Sequence, residues 1–151
     1  MTIWPQKRDA EHVCWCTFTE PELAYTGLSE QSLREREAEY KVYRLPFSQI
    51  DRAVTEGEPV GMAKVFATKS GKVLGASILG ASAGEMIGEW ALAARCGVKL
   101  SGIASTIHPY PTMGLGNRKL AEQSLLGART PGRIRWLQRI FGYRGRFVAY
   151  P

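Results

Sequence analysis

Residues 60–80 constrain this chain more than any other stretch. Val60-Gly-Met-Ala-Lys-Val-Phe-Ala-Thr68 is rich in β-formers, and Val73-Leu-Gly-Ala-Ser-Ile-Leu-Gly80 matches it. Only Lys69-Ser-Gly-Lys72 lies between them. Two strands joined by a short glycine-containing turn form a hairpin, so the sheet they belong to is antiparallel. The period then changes. Across residues 82–96 the apolar positions Met86, Ile87, Trp90, Ala91 and Ala94 fall on one helical stripe. Ser82 with Glu85 three residues on predicts a capping box, and Gly97 predicts the C-terminal stop.

The remaining elements follow the same logic. Residues 12–18, His-Val-Cys-Trp-Cys-Thr-Phe, read as a strand, and Phe18-Thr-Glu-Pro-Glu as a turn. Ser29 predicts an N-cap for a helix running to about Ala38. Residues 40–45 alternate as a second strand, and 49–56 form a short helix or turn. Helices are expected at 100–106, 117–126 and 131–141, the last with Ile134, Leu137, Ile140 and Phe141 on one side and arginines on the other. Strands joined by a hairpin and followed by helices predict an α+β fold, an antiparallel sheet with helices packed mainly on one face. Residues 1–11 read as a leading strap, 12–126 as the domain, and 127–151 as a basic C-terminal helical tail.

Charge and cysteine usage narrow the function classes. The net charge of +6 resides mostly in the tail, where Arg129, Arg133, Arg135, Arg139, Arg144 and Arg146 occur without an acidic residue. Such a tail could touch nucleic acid or an anionic surface, or simply be solvated. No apolar run reaches the 18 or so residues of a membrane span, and residues 1–8 show no signal-peptide core. Three cysteines that cannot all pair suit a reducing, cytoplasmic compartment.

Candidate chemistry concentrates in one loop. Residues 107–119 read Ile-His-Pro-Tyr-Pro-Thr-Met-Gly-Leu-Gly-Asn-Arg-Lys. Proline fixes its own φ and pushes the preceding residue toward extended backbone, so His108 and Tyr110 sit on a stiff loop. No acidic neighbour orients either side chain. The alternative is a proline-rich turn whose His and Tyr only cap and pack. Cys14 and Cys16 share one face of a strand, which allows a soft-metal or redox pair, yet two ligands do not make a zinc site. A metal-handling domain using Cys14, Cys16 and His108 stays a third possibility. The simpler expectation is no metal site, with Cys14 and Cys16 as buried packing and Cys96 as a small core residue. Glu85 is expected to cap, and Glu89 to be solvated or in an interface. No Gly-x-Gly-x-x-Gly or Walker-type sequence is present, so the chain carries no nucleotide fingerprint.

The ordered series Phe18-Thr-Glu-Pro-Glu-Leu-Ala-Tyr-Thr-Gly-Leu-Ser-Glu30, Gly61-Met-Ala-Lys-Val65, Gly71-Lys-Val-Leu-Gly-Ala-Ser-Ile-Leu-Gly80, Ala83-Gly-Glu-Met-Ile87 and the 107–112 loop resembles one family. It is the C-terminal dimerisation (interface) domain of the pyridine nucleotide-disulfide oxidoreductases. That family includes dihydrolipoamide dehydrogenase, glutathione reductase and mercuric reductase. The resemblance covers roughly residues 12–126. It implies an FAD/NAD-linked reductase dimerisation-domain fold and a homodimer. It further implies upstream domains that bind FAD and NAD(P)H and carry the redox-active cysteines, with neither cofactor bound by this chain alone. The loop would enter the active site of the partner subunit. His108 and Tyr110 would act there in trans, with Pro111 and Thr112 near the partner's flavin. Many members have His-Pro-Thr in this loop, with a Glu five residues after the His as its orienter. Here Tyr110 and Leu115 occupy those two positions, which leaves His108 as the available substitute. The alternative is a stand-alone binding module using the arginine tail on nucleic acid or anionic surfaces; under the main reading nucleic acid is not a partner.

Overall fold

The structure, a computed structural model, describes residues 13–126 and Ile140. In chain order the elements are β1 (Cys14–Thr17), β2 (Leu23–Gly27), α1 (Glu30–Glu35), β3 (Lys41–Pro46), a 3-10 turn (Phe47–Gln49), α2 (Asp51–Thr55), β4 (Met62–Ala67), β5 (Val73–Leu79), α3 (Ala83–Cys96), α4 (Leu100–Ser105) and α5 (Leu115–Leu126). All strands join one antiparallel sheet in the order β1-β2-β5-β4-β3. The β4–β5 hairpin forms as expected and supplies two of its three inner strands, with a register shift at Phe66/Ala67. Apart from Ile140, the tail with its expected helix at 131–141 lies outside the described residues, as does the strap.

The sheet has an inner and an outer face. Ala24, Thr26, Ala63, Val65, Ala76 and Ile78 alternate inward and are fully buried. They pack with Met86, Ile87, Trp90, Ala93 and Ala94 of α3, and with Leu120 and Ala121 of α5, in one continuous core. Ala93 is buried where the sequence pattern favoured Ala91. Lys64 alternates outward and meets Glu30 of α1 at 3.1 Å.

Four local expectations are corrected. Residues 18–22 do turn the chain, but Leu23–Gly27, to which the sequence pattern assigned no element, forms the strand linking β1 to β5. Only five residues separate Thr17 from Leu23, and Pro21 hides so short a strand from pattern reading. Helix α1 has Ser29 as its N-cap, accepting from the Ser32 N–H, yet it stops at Glu35 because Glu37 turns left-handed at φ 51°. Ser82 does not cap α3. It is left-handed (φ 58°) and makes no side-chain cap bond. The cap comes from elsewhere: Glu22, just before β2, accepts the Gly84 N–H at 2.9 Å. Gly97 does end the helix, at φ 69°. Of the cysteines only Cys16 packs as expected, half-buried against the core, whereas Cys14 and Cys96 are exposed. β1 is an edge strand, and Cys96 ends α3 beyond its buried stripe.

One close approach requires glycine on both sides. Gly27 and Gly75 are register partners across β2 and β5. A Cβ at Gly75 would lie 2.3 Å from the Leu28 carbonyl oxygen, and one at Gly27 would lie 2.5 Å from the Leu74 carbonyl oxygen. Both obstacles are backbone. The gap is closed instead by the Leu28 N–H bonding to the Leu74 carbonyl at 2.9 Å.

Candidate functional site

The loop between α4 and α5 is tied down at its base and displayed at its tip. α4 ends at Ser105, and Thr106 leads into the proline-flanked segment. The Tyr110–Pro111 peptide is cis. Thr112 closes the turn: its hydroxyl donates to the Pro109 carbonyl at 2.8 Å and accepts the Leu115 N–H at 3.3 Å, which caps the start of α5. Ile107 and Tyr110 project outward, 90% and 70% exposed.

His108 points the other way. Its side chain is only 10% exposed. Nδ1 lies 3.1 Å from the Thr106 carbonyl oxygen, and Nε2 lies 3.0 and 3.2 Å from the two carboxylate oxygens of Glu89. The carbonyl and the carboxylate are both acceptors, so the ring stands between two acceptors and its tautomer decides which nitrogen donates. Both nitrogens are committed, and neither faces solvent chemistry.

Glu89 is anchored in turn by Asn117. The Asn117 amide donates to Glu89 Oε2 and to the Met86 carbonyl, each at 2.9 Å. Its carbonyl oxygen accepts from the Trp90 indole N–H at 2.7 Å. Indole nitrogen is a donor only, so this contact fixes which way the amide faces. Asn117 is 1% exposed, and its hydrogen-bonding atoms are used. The chain Thr106–His108–Glu89–Asn117–Trp90 thus links the loop to α3 and α5 through the core. Sequence reasoning assigned Glu89 to solvent or an interface and passed over Asn117. Its only sequence signal was a polar residue on a helix turn that also carries Leu120 and Ala121.

A second anchor holds the opposite flank. Lys119 of α5 reaches the Gln49 carbonyl and Asp51 Oδ1, both at 2.9 Å. That ammonium holds the Asp51 carboxyl below its usual range, through its hydrogen bond and charge, with a smaller contribution from the Tyr110 hydroxyl.

A cavity of about 330 Å³ lies beside β2, lined by Phe18, Glu20, Glu22 and Glu58 among others, and its carboxylates oppose an anionic cofactor. His108 is far from being a partner for Cys14 or Cys16, since its ring is spent on Glu89 and Thr106. No cluster of three or more metal-ligating side chains occurs among the described residues. No helix there is long and apolar enough to cross a membrane.

The family model for the dimerisation domain of pyridine nucleotide-disulphide oxidoreductases matches residues 13–118. The chain belongs to that family. Mitochondrial dihydrolipoyl dehydrogenases of Mesocricetus auratus and Homo sapiens are 45% identical to it over 97 residues, which is 64% of this chain. The chain spans about a fifth of their length, 20% and 19%. The HOCl-induced flavoprotein disulfide reductase RclA from Escherichia coli superposes with a TM-score of 0.70 at 28% identity, over 74% of this chain and 26% of that one. LpdA from Mycobacterium tuberculosis superposes at 0.74 and 23% identity, over 78% and 26%, which speaks to fold alone. These dimerisation-domain matches take in β1 through the 106–114 loop and the start of α5.

Proposed function

We propose that this domain forms a symmetric homodimer and lends its 107–112 loop to the active site of the partner subunit in a flavin-dependent, disulfide-type oxidoreductase. The observation that carries the reading is the split between His108 and Tyr110. The histidine is locked inward on Glu89, while Ile107 and Tyr110 are largely exposed on a backbone fixed from below, with the Tyr110 hydroxyl reaching Asp51. A side chain held this way is oriented for a surface that the domain itself does not supply.

The split also assigns roles. Tyr110 is the group that meets the reacting centre, offering a phenol hydrogen bond where many relatives have an imidazole. His108 is a positioning residue, and Leu115 supplies no carboxylate. The proton relay of a His-Glu pair is therefore not expected from this loop. Pro111 and Thr112 shape the segment that would approach the partner's flavin. FAD and NAD(P)H would be held by domains preceding this one, and the flavin would supply the electron transfer. Three free thiols fit a reducing compartment such as the cytoplasm; the curated relatives named above are mitochondrial by name.

Sedimentation equilibrium tests the first half: a dimer is expected, with an interface typical of obligate pairs, above about 2,000 Å². A strict monomer at high concentration would overturn it. Hybrid dimers of the flavoenzyme bearing this domain test the second half. One subunit carries Tyr110→Phe and the other lacks its redox cysteines. The one site that keeps its cysteines lies in the Tyr110→Phe subunit and takes its loop from the unaltered partner, so it is expected to run at the wild-type per-site rate; loss of activity there would refute donation in trans.

A further inference from the structure

Two thiols on β1 are used by nothing described above. Cys16 is half-buried and packs against the core, while Cys14 is exposed, so core packing leaves Cys14 unaccounted for; neither is in a disulfide. They lie two apart on a strand, so both side chains leave the same face. That face is the one α3 lies over. The helix presents bare backbone there. Cys16 Sγ is 3.1 Å from where a Cβ on Gly84 would sit, and Gly88, one turn on, has nothing within 4 Å of its Cβ position. From the sheet side, the cross-strand partner of Cys14 is Thr26. Thr26 is fully buried, and its hydroxyl oxygen has no hydrogen-bond partner. Directly opposed residues place their Cβ atoms about 4.5–5.5 Å apart, so Thr26 and Cys14 are neighbours across the ladder, with no hydrogen bond between hydroxyl and sulfur in the metal-free form.

We infer that Cys14 and Cys16 form a two-coordinate binding site for a soft d10 cation, of the copper(I), silver(I) or mercury(II) class. Two thiolates and nothing further define the class. Zinc asks for four ligands, and the described residues offer no third. Thiolate sulfur selects soft ions. The spacing fits as well. Residues two apart on a strand have Cα atoms about 6.6–6.8 Å apart. A linear sulfur–metal–sulfur unit spans about 4.6 Å, twice a bond of about 2.3 Å. Two side chains on one face converge to that distance from ordinary rotamers. On binding, two S–H bonds break and two metal–sulfur bonds form. Two protons leave to solvent, and the metal keeps its oxidation state. The Thr26 hydroxyl then donates to the Cys14 thiolate, which gives that buried atom its missing partner.

This inference does not depend on the dimerisation reading, and its test is separate. The full chain, reduced and kept anaerobic, is titrated with copper(I) against bicinchoninate as a chromophoric competitor. One copper(I) per chain and two released protons are expected. Cys96→Ser should keep both. Cys14→Ser, at an exposed position where folding is not at stake, should lose the competition, as should Cys16→Ser. Thr26→Val should weaken binding roughly three- to tenfold, the size of one hydrogen bond. X-ray absorption should show two sulfur neighbours. Wild-type affinity in the Cys14→Ser/Cys16→Ser double variant would overturn the proposal. So would one copper per two chains, which places the metal between copies, or equally tight uptake of zinc(II).

Discussion

His108 and Glu89 are 19 residues apart in the chain, and their side chains meet at 3.0 Å. The contact joins the tip-bearing loop to the middle of α3. Removing either partner should loosen the loop without unfolding the domain. His108→Ala and Glu89→Ala are both expected to speed hydrogen exchange at the loop amides from Thr106 to Met113. The protected amides of β4 and β5 should be unchanged. A double-mutant cycle in denaturant should show a coupling of about 0.5–1.5 kcal/mol, the ordinary hydrogen-bond range and below that for charged groups because Glu89 is 31% exposed. Additive effects would mean the pair does not anchor the loop.

Asn117 should be the more costly position. Its removal strands the Trp90 indole N–H inside the core, frees a Glu89 oxygen, and takes a second donor from the Met86 carbonyl, which keeps its helical bond. Each buried group left without a partner costs about 1–3 kcal/mol. Asn117→Ala is therefore expected to destabilise by about 2–4 kcal/mol in urea unfolding. Trp90→Phe should cost less on the hydrogen-bond side, since it strands only the Asn117 carbonyl oxygen, although it also leaves a cavity. An Asn117→Ala loss below 1 kcal/mol would show that water takes over these bonds.

What the sequence disclosed and what it withheld divide along one physical line. Features set by neighbours in the chain were legible. These include the β4–β5 hairpin, the Ser29 cap, the Gly97 stop and the stiff proline-flanked loop. Features set by distant residues were not. Ser82 and Glu85 had the spacing of a capping box, yet Ser82 sits left-handed and Glu22, 62 residues before Gly84, does the capping. His108 looked unsupported because its acid lies on another helix. β2 escaped because five residues after a proline carry too little pattern. The family likeness supplied the purpose of the loop, while the fate of its histidine came only from the fold.

The remote cap can be tested directly. Glu22 accepts the Gly84 N–H at the α3 N-terminus, where a carboxylate also complements the helix dipole. Glu22→Ala should cost about 0.5–2 kcal/mol, the range of a lost N-cap. Ser82→Ala should cost much less on the capping count, because that hydroxyl caps nothing. Replacement by Gly at 82 should be neutral or stabilising, since the residue is left-handed at φ 58°. Thermal unfolding of the three variants would settle the order, and a larger loss at Ser82→Ala would restore the local box.

Gly75 tolerates no side chain. The Cβ of Gly75→Ala would enter within 2.3 Å of the Leu28 carbonyl oxygen and 2.7 Å of its nitrogen. Those atoms belong to the backbone segment that pairs with Leu74, so the strands must part. The expected result is loss of several kcal/mol or failure to express as folded protein, at the upper end for a single substitution. Gly88→Ala, with open space at its Cβ position, is the control and should stabilise by up to about 1 kcal/mol through helix propensity. Similar behaviour of the two variants would refute the close approach of β2 and β5.

The Asp51–Lys119 contact carries a pH signature of definite sign. Lys119 holds the Asp51 carboxyl below its ordinary range, first by hydrogen bonding and then by charge. The native state therefore favours ionised Asp51 more than the unfolded chain does. Its contribution is present above the unfolded value of about 3.9 and fades as pH falls through the lower folded value. The pair is well exposed, so the effect is screened and should shrink with added salt. Carboxyl-carbon shifts across an acid titration should report Asp51 below the usual range in the wild type and close to it in Lys119→Met. The same variant should lose some of the wild type's stability near neutral pH and differ little from it once the carboxyl is protonated. An unmoved Asp51 titration in Lys119→Met would leave the low value without its cause.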